Sequence, residues 1–368
     1  MTEKIQSTNT KKRVAILIEN HVEDVEFTIP YKALQQAGAD VTILGSRLNE
    51  TYQGKQGKLS QKADATTTDS RAADFDAVII PGGQAPDVMR TNKKTVRFVQ
   101  DAMNQGILVA AVCHAPQVLI EGDLLKGKRA TGFTSIRKDM ENAGAHFIDE
   151  PLVIDGNLIT SRRPGDLPIF TTAILNRLGL IGDMNLPPET DFSNQGWRSL
   201  GEDWGGSTKA EIVDGINTAI RGERYAMTAF EQYTDKVSDT ELKRTFNEIR
   251  ATKERRIQTL EARLAQLGET ESLQAAGSGA WATLKSWLQS NSETSVLQRA
   301  LGDLQTGVVD AYNFRNQFTD PVTVQIFDDM AVEIAKDEAH IAELFLARKP
   351  TDDRTTSAAP TTGSAASA

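Results

Sequence analysis

The chain has 368 residues, 39% of them hydrophobic and 25% charged, which suits about two packed domains and excludes wholesale disorder. A single cysteine excludes an internal disulfide framework and any multi-thiolate metal or iron–sulfur site. The net charge of −9 is unevenly placed, with 22 Lys+Arg against 21 Asp+Glu in residues 1–180 and 19 against 29 in residues 181–368. There is no basic stripe, so neither nucleic acid nor an anionic membrane is an expected partner.

In chain order, Val14–Ile18 is a short apolar run of the kind buried on both faces of a sheet, and Glu26–Ala37 has helical spacing with a kink expected at Pro30. Val41–Leu44 and Ala77–Ile80 read as strands, the second running into Pro81-Gly82-Gly83. Lys93–Asn104 is a helix, with Val96, Val99 and Met103 on one face. Ile107–Val112 is the most apolar strand and ends at Cys113; Gln117–Leu125 reads as the helix that follows. Leu152–Ile154 and Leu158–Thr160 flank a hairpin turn at Asp155-Gly156-Asn157. Leu167–Leu178 closes the alternation as a helix. Strand–helix alternation of this length implies a doubly wound α/β sandwich.

From 181 to 207 the pattern disappears, and paired prolines and glycines predict a linker, part of which docks on a domain through Trp197 and Trp204. Four long helices follow, at Thr208–Lys236, Asp239–Gln266, Thr294–Phe318 and Pro321–Leu346, with N-cap chemistry at Ser238-Asp239 and Ser292-Glu293. They imply an up-and-down four-helix bundle over 208–347. A short amphipathic insertion is expected at Trp281–Leu288, and the Thr/Ser/Ala-rich tail at 349–368 is expected to be disordered. The first twelve residues are polar, and no apolar run approaches the ~18–20 residues of a spanning helix. A cytoplasmic protein is the expectation.

The thiol is the one reactive group that needs an explanation. At a strand-to-helix turn Cys113 would stand at the carboxyl edge of the sheet, where doubly wound folds bind ligands, and the N–H groups of the following helix would favour its thiolate. The Pro81-Gly82-Gly83 loop, at another strand end, lets backbone approach a substrate closely and offers oxyanion donors. The other reading of Cys113 is a small buried apolar residue. The pattern alone leaves both open.

Residues 12–180 resemble the DJ-1/PfpI superfamily in its PfpI-like branch, which includes intracellular proteases and deglycases on a class I glutamine amidotransferase-like fold. The resemblance is carried by Asn20–Glu26, Ile80–Asp87, Ala111–Gln117 and Asp155–Leu167, in that order. It implies a flavodoxin-like fold with Cys113 as nucleophile on a tight elbow and His114 as its partner. By its distance from Pro30, Glu26 is implied as the carboxyl that hydrogen-bonds the thiol, with Glu23 the less favoured candidate. The resemblance also implies Gly83 and His114 backbone at the oxyanion site, beside Gly82, and Asp87 as an acidic residue reaching the Cys–His pair of a neighbouring subunit. Asp87 stands where Glu is usual, and Ala115 stands where the motif usually has Gly. A carboxyl beside a thiolate acts only if protonated or sharing its proton, since two adjacent anions repel. Glu23 and Asp24 are read as solvated helix-start carboxylates, and Arg162 and Arg163 as partners of surface acids rather than anion binders.

The second half resembles the ferritin-like superfamily, in its YciE/YciF-like branch. A di-iron site of that kind needs a Glu on each of two helices and a Glu-x-x-His on each of the others. Asp337 and His340 offer an Asp-x-x-His, but the second helix has no histidine and Glu254 is followed by Ile257 at the ligand spacing. Glu223, Glu231, Asp303 and Asp310 are read as solvated acids. No metal or cofactor is therefore expected, and packing, oligomerisation or partner binding is the role assigned to the bundle.

The expected function is a DJ-1/PfpI-type cysteine hydrolase in stress defence. It would act as a homo-oligomer on small reactive carbonyls, in a glyoxalase III-type or deglycase reaction, or on glycated or unfolded proteins. The alternatives are an intracellular cysteine peptidase and a redox-sensing or chaperone-like binding protein.

Overall fold

The computed structural model describes residues 11–182, 184, 186–271 and 292–349. The segment expected at Trp281–Leu288 and all but the first residue of the tail lie outside them. The chain opens with β1 (Arg13–Leu17), α1 (Asp24–Gln36), β2 (Asp40–Gly45), β3 (Thr51–Gln53), β4 (Ser60–Lys62) and β5 (Ala65–Thr66). It continues through β6 (Ala77–Ile80), α2 (Ala85–Met89), α3 (Lys93–Asn104), β7 (Leu108–Val112), α4 (Pro116–Glu121), β8 (Arg129–Ala130), α5 (Arg137–Asn142) and β9 (His146–Phe147). The hairpin β10 (Leu152–Asp155) and β11 (Leu158–Ser161) leads to α6 (Leu167–Leu178) and α7 (Gly196–Asp203). The long helices are α8 (Lys209–Lys236), α9 (Thr240–Gln266), α10 (Glu293–Gln317) and α11 (Pro321–Arg348).

Seven strands form one sheet in the order β10-β11-β7-β6-β1-β2-β5, all parallel except the β10–β11 hairpin. Every residue of β6 and β7 is buried, as a sheet covered by helices on both faces requires. The direction of winding reverses between β1 and β6, so the carboxyl ends of β1, β6 and β7 frame the crevice where such sheets bind ligands.

The stretch predicted as a linker is not without structure, because α7 lies within it. Trp197 is fully buried and its indole N–H donates to Asp191 O at 2.7 Å, while Trp204 joins the core of the sandwich. Burial of two large aromatic side chains orders a segment that has no hydrophobic period.

The described residues fall into two compact units, one drawn from Met1–Ile220, Thr259–Ser272 and Asp310–Asp329, the other from Arg221–Gln258, Leu273–Val309 and Met330–Ala368. In the first, the turn between α10 and α11 belongs with the sandwich. Phe314, Phe318 and Phe327 pack ring on ring with centroids 4.9–6.2 Å apart. The fully buried Arg263 binds Asp320 (2.6 Å) and Thr323 (2.9 Å). Val324 sits so close to Gly165 that a Cβ there would lie 2.7 Å from Val324 Cγ1. Asp328 bridges Arg163 (2.9 Å) and Arg315 (2.5 Å). Burial would raise its carboxyl, but the hydrogen bonds and charge of Arg163 and Arg315 hold it down at about 2.

In the second unit, Phe230, Tyr233 and Phe246 form an aromatic cluster, and the Tyr233 hydroxyl donates to Asp303 at 2.6 Å. Glu223 is buried, not solvated as expected, and meets the buried cations Lys253 and Arg256, each at 3.4 Å. Arg256 also approaches Glu333 (3.7 Å) and Asp337 (3.8 Å). Asp337 thus turns toward a cation while His340 is exposed. Glu231 and Asp310 are exposed. Among the described residues, no group of three or more candidate ligands gathers around a point.

Candidate functional site

Cys113 follows β7 with φ of +62°, a left-handed conformation costing an L-residue roughly 1–3 kcal/mol. Two hydrogen bonds hold that turn, from Cys113 N–H to Ser161 O (3.0 Å) and from Phe133 N–H to Cys113 O (2.8 Å). The fold thereby projects the side chain from the sheet edge into a cavity of about 760 Å³, although the residue itself is 5% exposed.

The loop after β6 comes against this elbow. Gly82 lies so close that a Cβ would stand 2.6 Å from Glu26 Oε2, 2.8 Å from Cys113 Cβ and 2.9 Å from His114 N. Gly83, at φ +75°, is clamped to the β1–α1 loop by a bridge to Val22, and Gln84 N–H donates to His21 O at 3.0 Å. Only glycine fits at either position.

Glu26, in the first turn of α1, is fully buried beneath the thiol. Gly82 N–H donates to its Oε2 at 2.7 Å, whereas Oε1 is buried without a hydrogen-bond partner. Burial first, then the charge of Glu23, push the Glu26 carboxyl up to about 8, against the hydrogen bonds from Cys113 and Gly82. The thiol is raised well above its ordinary value, by burial and then by Glu26, with Gly83 N–H favouring the thiolate. The expectation that a helix N-terminus would depress it is corrected. The helix α4 has only six residues, and desolvation at a buried position outweighs it. Thiol and carboxyl therefore compete to remain protonated.

His114 Nδ1 lies 3.2 Å from Cys113 Sγ, and its Nε2 lies 3.1 Å from Ser135 Oγ. The imidazole stacks on Phe133 with centroids 4.8 Å apart. Burial, then the charge of Lys55, lower its pKa, so the ring is neutral at pH 7. The tautomer with the proton on Nε2 satisfies both contacts, donating to Ser135 and leaving Nδ1 to accept from the thiol.

The structure thus brings Cys113, His114, Glu26 and Gly83 together. Gly82 differs from the expectation, since its N–H is engaged by Glu26 and is not a free oxyanion donor. Among the described residues, Gly83 N–H faces the sulfur and His114 N–H has no protein acceptor. Asp87 lines the same cavity, but its carboxylate is 64% exposed and binds Arg90 at 2.7 Å. Glu23 and Asp24 are buried, not solvated. Glu23 pairs with Lys55 (3.1 Å) and Gln56 (2.6 Å), and Asp24 accepts from Gln56, Lys58 and Leu59 N–H at 2.7–2.8 Å. Arg162 pairs with Asp166 and Asp149, while Arg163 binds Asp328. Nothing in the sequence signals Ser135, because it sits in a short 3-10 turn with no periodic pattern. His21, likewise unassigned, lines the cavity.

At the carboxyl edge of the sheet the structure thus holds a strained cysteine elbow over a buried carboxyl and a glycine loop. The model of the DJ-1/PfpI family matches residues 12–177, and a domain of unknown function, DUF2383, matches 211–302. The chain belongs to the DJ-1/PfpI family. General stress protein 18 of Bacillus subtilis is 42% identical over 160 residues, 43% of this chain and 93% of that protein. Protein/nucleic acid deglycase 2 of Escherichia coli is 40% identical over 169 residues (46% and 98%), and the putative cysteine protease YraA of B. subtilis 42% over 167 residues (45% and 98%). A two-domain protein from Anabaena variabilis, containing DJ-1/ThiJ/PfpI-like and ferritin-like domains, is similar over both halves. Its crystal structure has a TM-score of 0.88 at 55% identity, covering 93% of this chain and 97% of that one. The flavodoxin-like sandwich is thus followed by a helical region like the ferritin-like domain of that protein.

Proposed function

We propose that this protein is a cysteine-dependent hydrolase that converts reactive carbonyl compounds to hydroxy acids. The observation that carries the reading is the fully buried Glu26 carboxyl, bound by Gly82 N–H at 2.7 Å beneath the Cys113 thiol; burial pushes it up to about 8, which favours the protonated form at neutral pH. Such a group is a general acid for a carbonyl oxygen and has no role in simple thiol burial. His114 Nδ1 takes the thiol proton as sulfur attacks the aldehyde carbon of a 1,2-dicarbonyl, and Glu26 gives its proton to the carbonyl oxygen. The product is a hemithioacetal. A proton then passes from the thiol-bearing carbon to the neighbouring ketone carbon through an enediol, so one carbon is oxidised as the other is reduced. Water cleaves the resulting thioester, releasing the hydroxy acid and restoring the thiol. The net change is addition of one water.

Peptide hydrolysis requires protonation of a leaving amine, which His114 would supply after accepting the thiol proton. The relative named as a protease keeps that reading in view. Asp87 would complete the set only from a neighbouring subunit, and small carbonyls or glycated proteins are the proposed substrates. The test compares wild type, Cys113→Ser and Glu26→Gln on methylglyoxal, a glycated peptide and casein. Loss of dicarbonyl turnover in both variants is the expected result. Casein cleavage that depends on Cys113 without any carbonyl turnover would replace the proposal with the peptidase.

A further inference from the structure

The cavity above Cys113 is built by more than the α/β sandwich. Tyr312, Asn313, Asn316 and Gln317, from the last turns of α10, line it together with Gln84 and Gln117. These residues belong to the same compact unit as the thiol. The wall is braced where Arg315, over the Tyr312 ring at 4.4 Å, binds Asp328, which in turn binds Arg163 beside Pro164 of the cavity. Within the wall, Asn316 Nδ2 is held by Tyr312 O at 2.8 Å, leaving Oδ1 without a hydrogen-bond partner. The relatives named as a deglycase and a protease are matched over 98% of their own lengths by 169 and 167 residues of this chain, about the length of the family match at 12–177, which leaves no length for a counterpart to this helix.

The chemistry of the lining limits what it recognises. About 760 Å³ lies in the range that encloses ligands far larger than a three-carbon dicarbonyl. The one lysine of the lining, Lys55, pairs with Glu23, and Asp87 pairs with Arg90 outside it, so a phosphorylated or carboxylated substrate finds no unpaired lysine or arginine among the lining residues. What remains is a ring of neutral amides with an aromatic face. Amides both donate and accept, which matches hydroxyl groups.

On the reading that Cys113 adds to carbonyls, we infer that the site takes a neutral, hydroxyl-bearing carbonyl compound of sugar length, with Asn313, Asn316 and Gln317 binding the hydroxyls of its distal end. The test uses the full chain, with methylglyoxal and 3-deoxyglucosone as short and sugar-length probes. Each is assayed for turnover and for protection of Cys113 against iodoacetamide. In wild type, 3-deoxyglucosone protects at concentrations about tenfold below those of methylglyoxal. In Asn313→Ala and Gln317→Ala, both on exposed side chains and checked for unchanged melting, that preference falls toward unity. Equal protection by the two probes in wild type, or a preference that neither variant moves, overturns the inference. Selective protection without turnover supports the wall while refuting the proposed hydrolase, so the two readings fail separately.

Discussion

Replacing Glu26 by Gln keeps the shape of the side chain and an oxygen for Gly82 N–H, but removes the titrating proton. The carboxyl ionises at about 8 in the folded chain against an ordinary 4.5. At about 1.4 kcal/mol per pH unit, that difference amounts to about 5 kcal/mol. A carboxyl raised in this way favours the folded state fully below its unfolded pKa, and the advantage is lost as pH rises through the folded value. Between pH 4.5 and 8 the wild type should therefore lose about 5 kcal/mol relative to Glu26→Gln. The lost proton also sets an alkaline limb near pH 8 in kcat/KM. Urea unfolding of both proteins at half-unit intervals of pH, followed by tryptophan fluorescence, measures the divergence. Parallel stability curves would show that Glu26 ionises normally inside the fold, and the acid role argued for it would fall.

Gly82→Ala should abolish turnover while leaving helix content intact, because the new methyl group meets the Glu26 carboxyl and the Cys113–His114 backbone at 2.6–2.9 Å; circular dichroism and a dicarbonyl assay read the two effects. Ser135→Ala should lower kcat by roughly tenfold with KM little changed, and shift the acidic limb of the pH profile, since it frees the His114 tautomer rather than removing the base. Glu223→Ala should cost about 3–5 kcal/mol in the second unit, by leaving Lys253 and Arg256 buried without their nearest carboxylate; hydrogen exchange of α8 and α9 amides checks it.

The sandwich was legible in the sequence because its buried strands are continuous apolar runs, and Lys93–Asn104, Ala77–Ile80 and Leu167–Leu178 occur with the predicted limits. The strand that ends at Cys113 places the thiol, whereas Glu26 is reached only through the motif resemblance, since nothing in the pattern of Glu23, Asp24 and Glu26 marks which of the three meets the thiol. The burial of Asp24 and Glu23 escapes the pattern for the same reason. Their partners lie more than thirty residues away in the β3–β4 loop. Ser135 meets His114 across 21 residues without any period to announce it. The short strands β3, β4, β5, β8 and β9 have two or three residues each, too few to carry an alternating pattern. The α10 wall is the extreme case, because its relation to Cys113 is written only in the tertiary fold.

The composition of the first unit has a consequence for synthesis. Its strands are complete by Ser161, yet it includes residues up to Asp329. At about 5–20 residues per second, the ribosome needs roughly 8–34 s to cover that interval. A nascent chain that folded its sheet at once would carry Cys113 beside a wall not yet made. A sheet that folded as it emerged would expose the thiol to surrounding electrophiles before the proposed α10 wall could select among them. Pulse-labelling with an alkylating agent on stalled chains would time the closure.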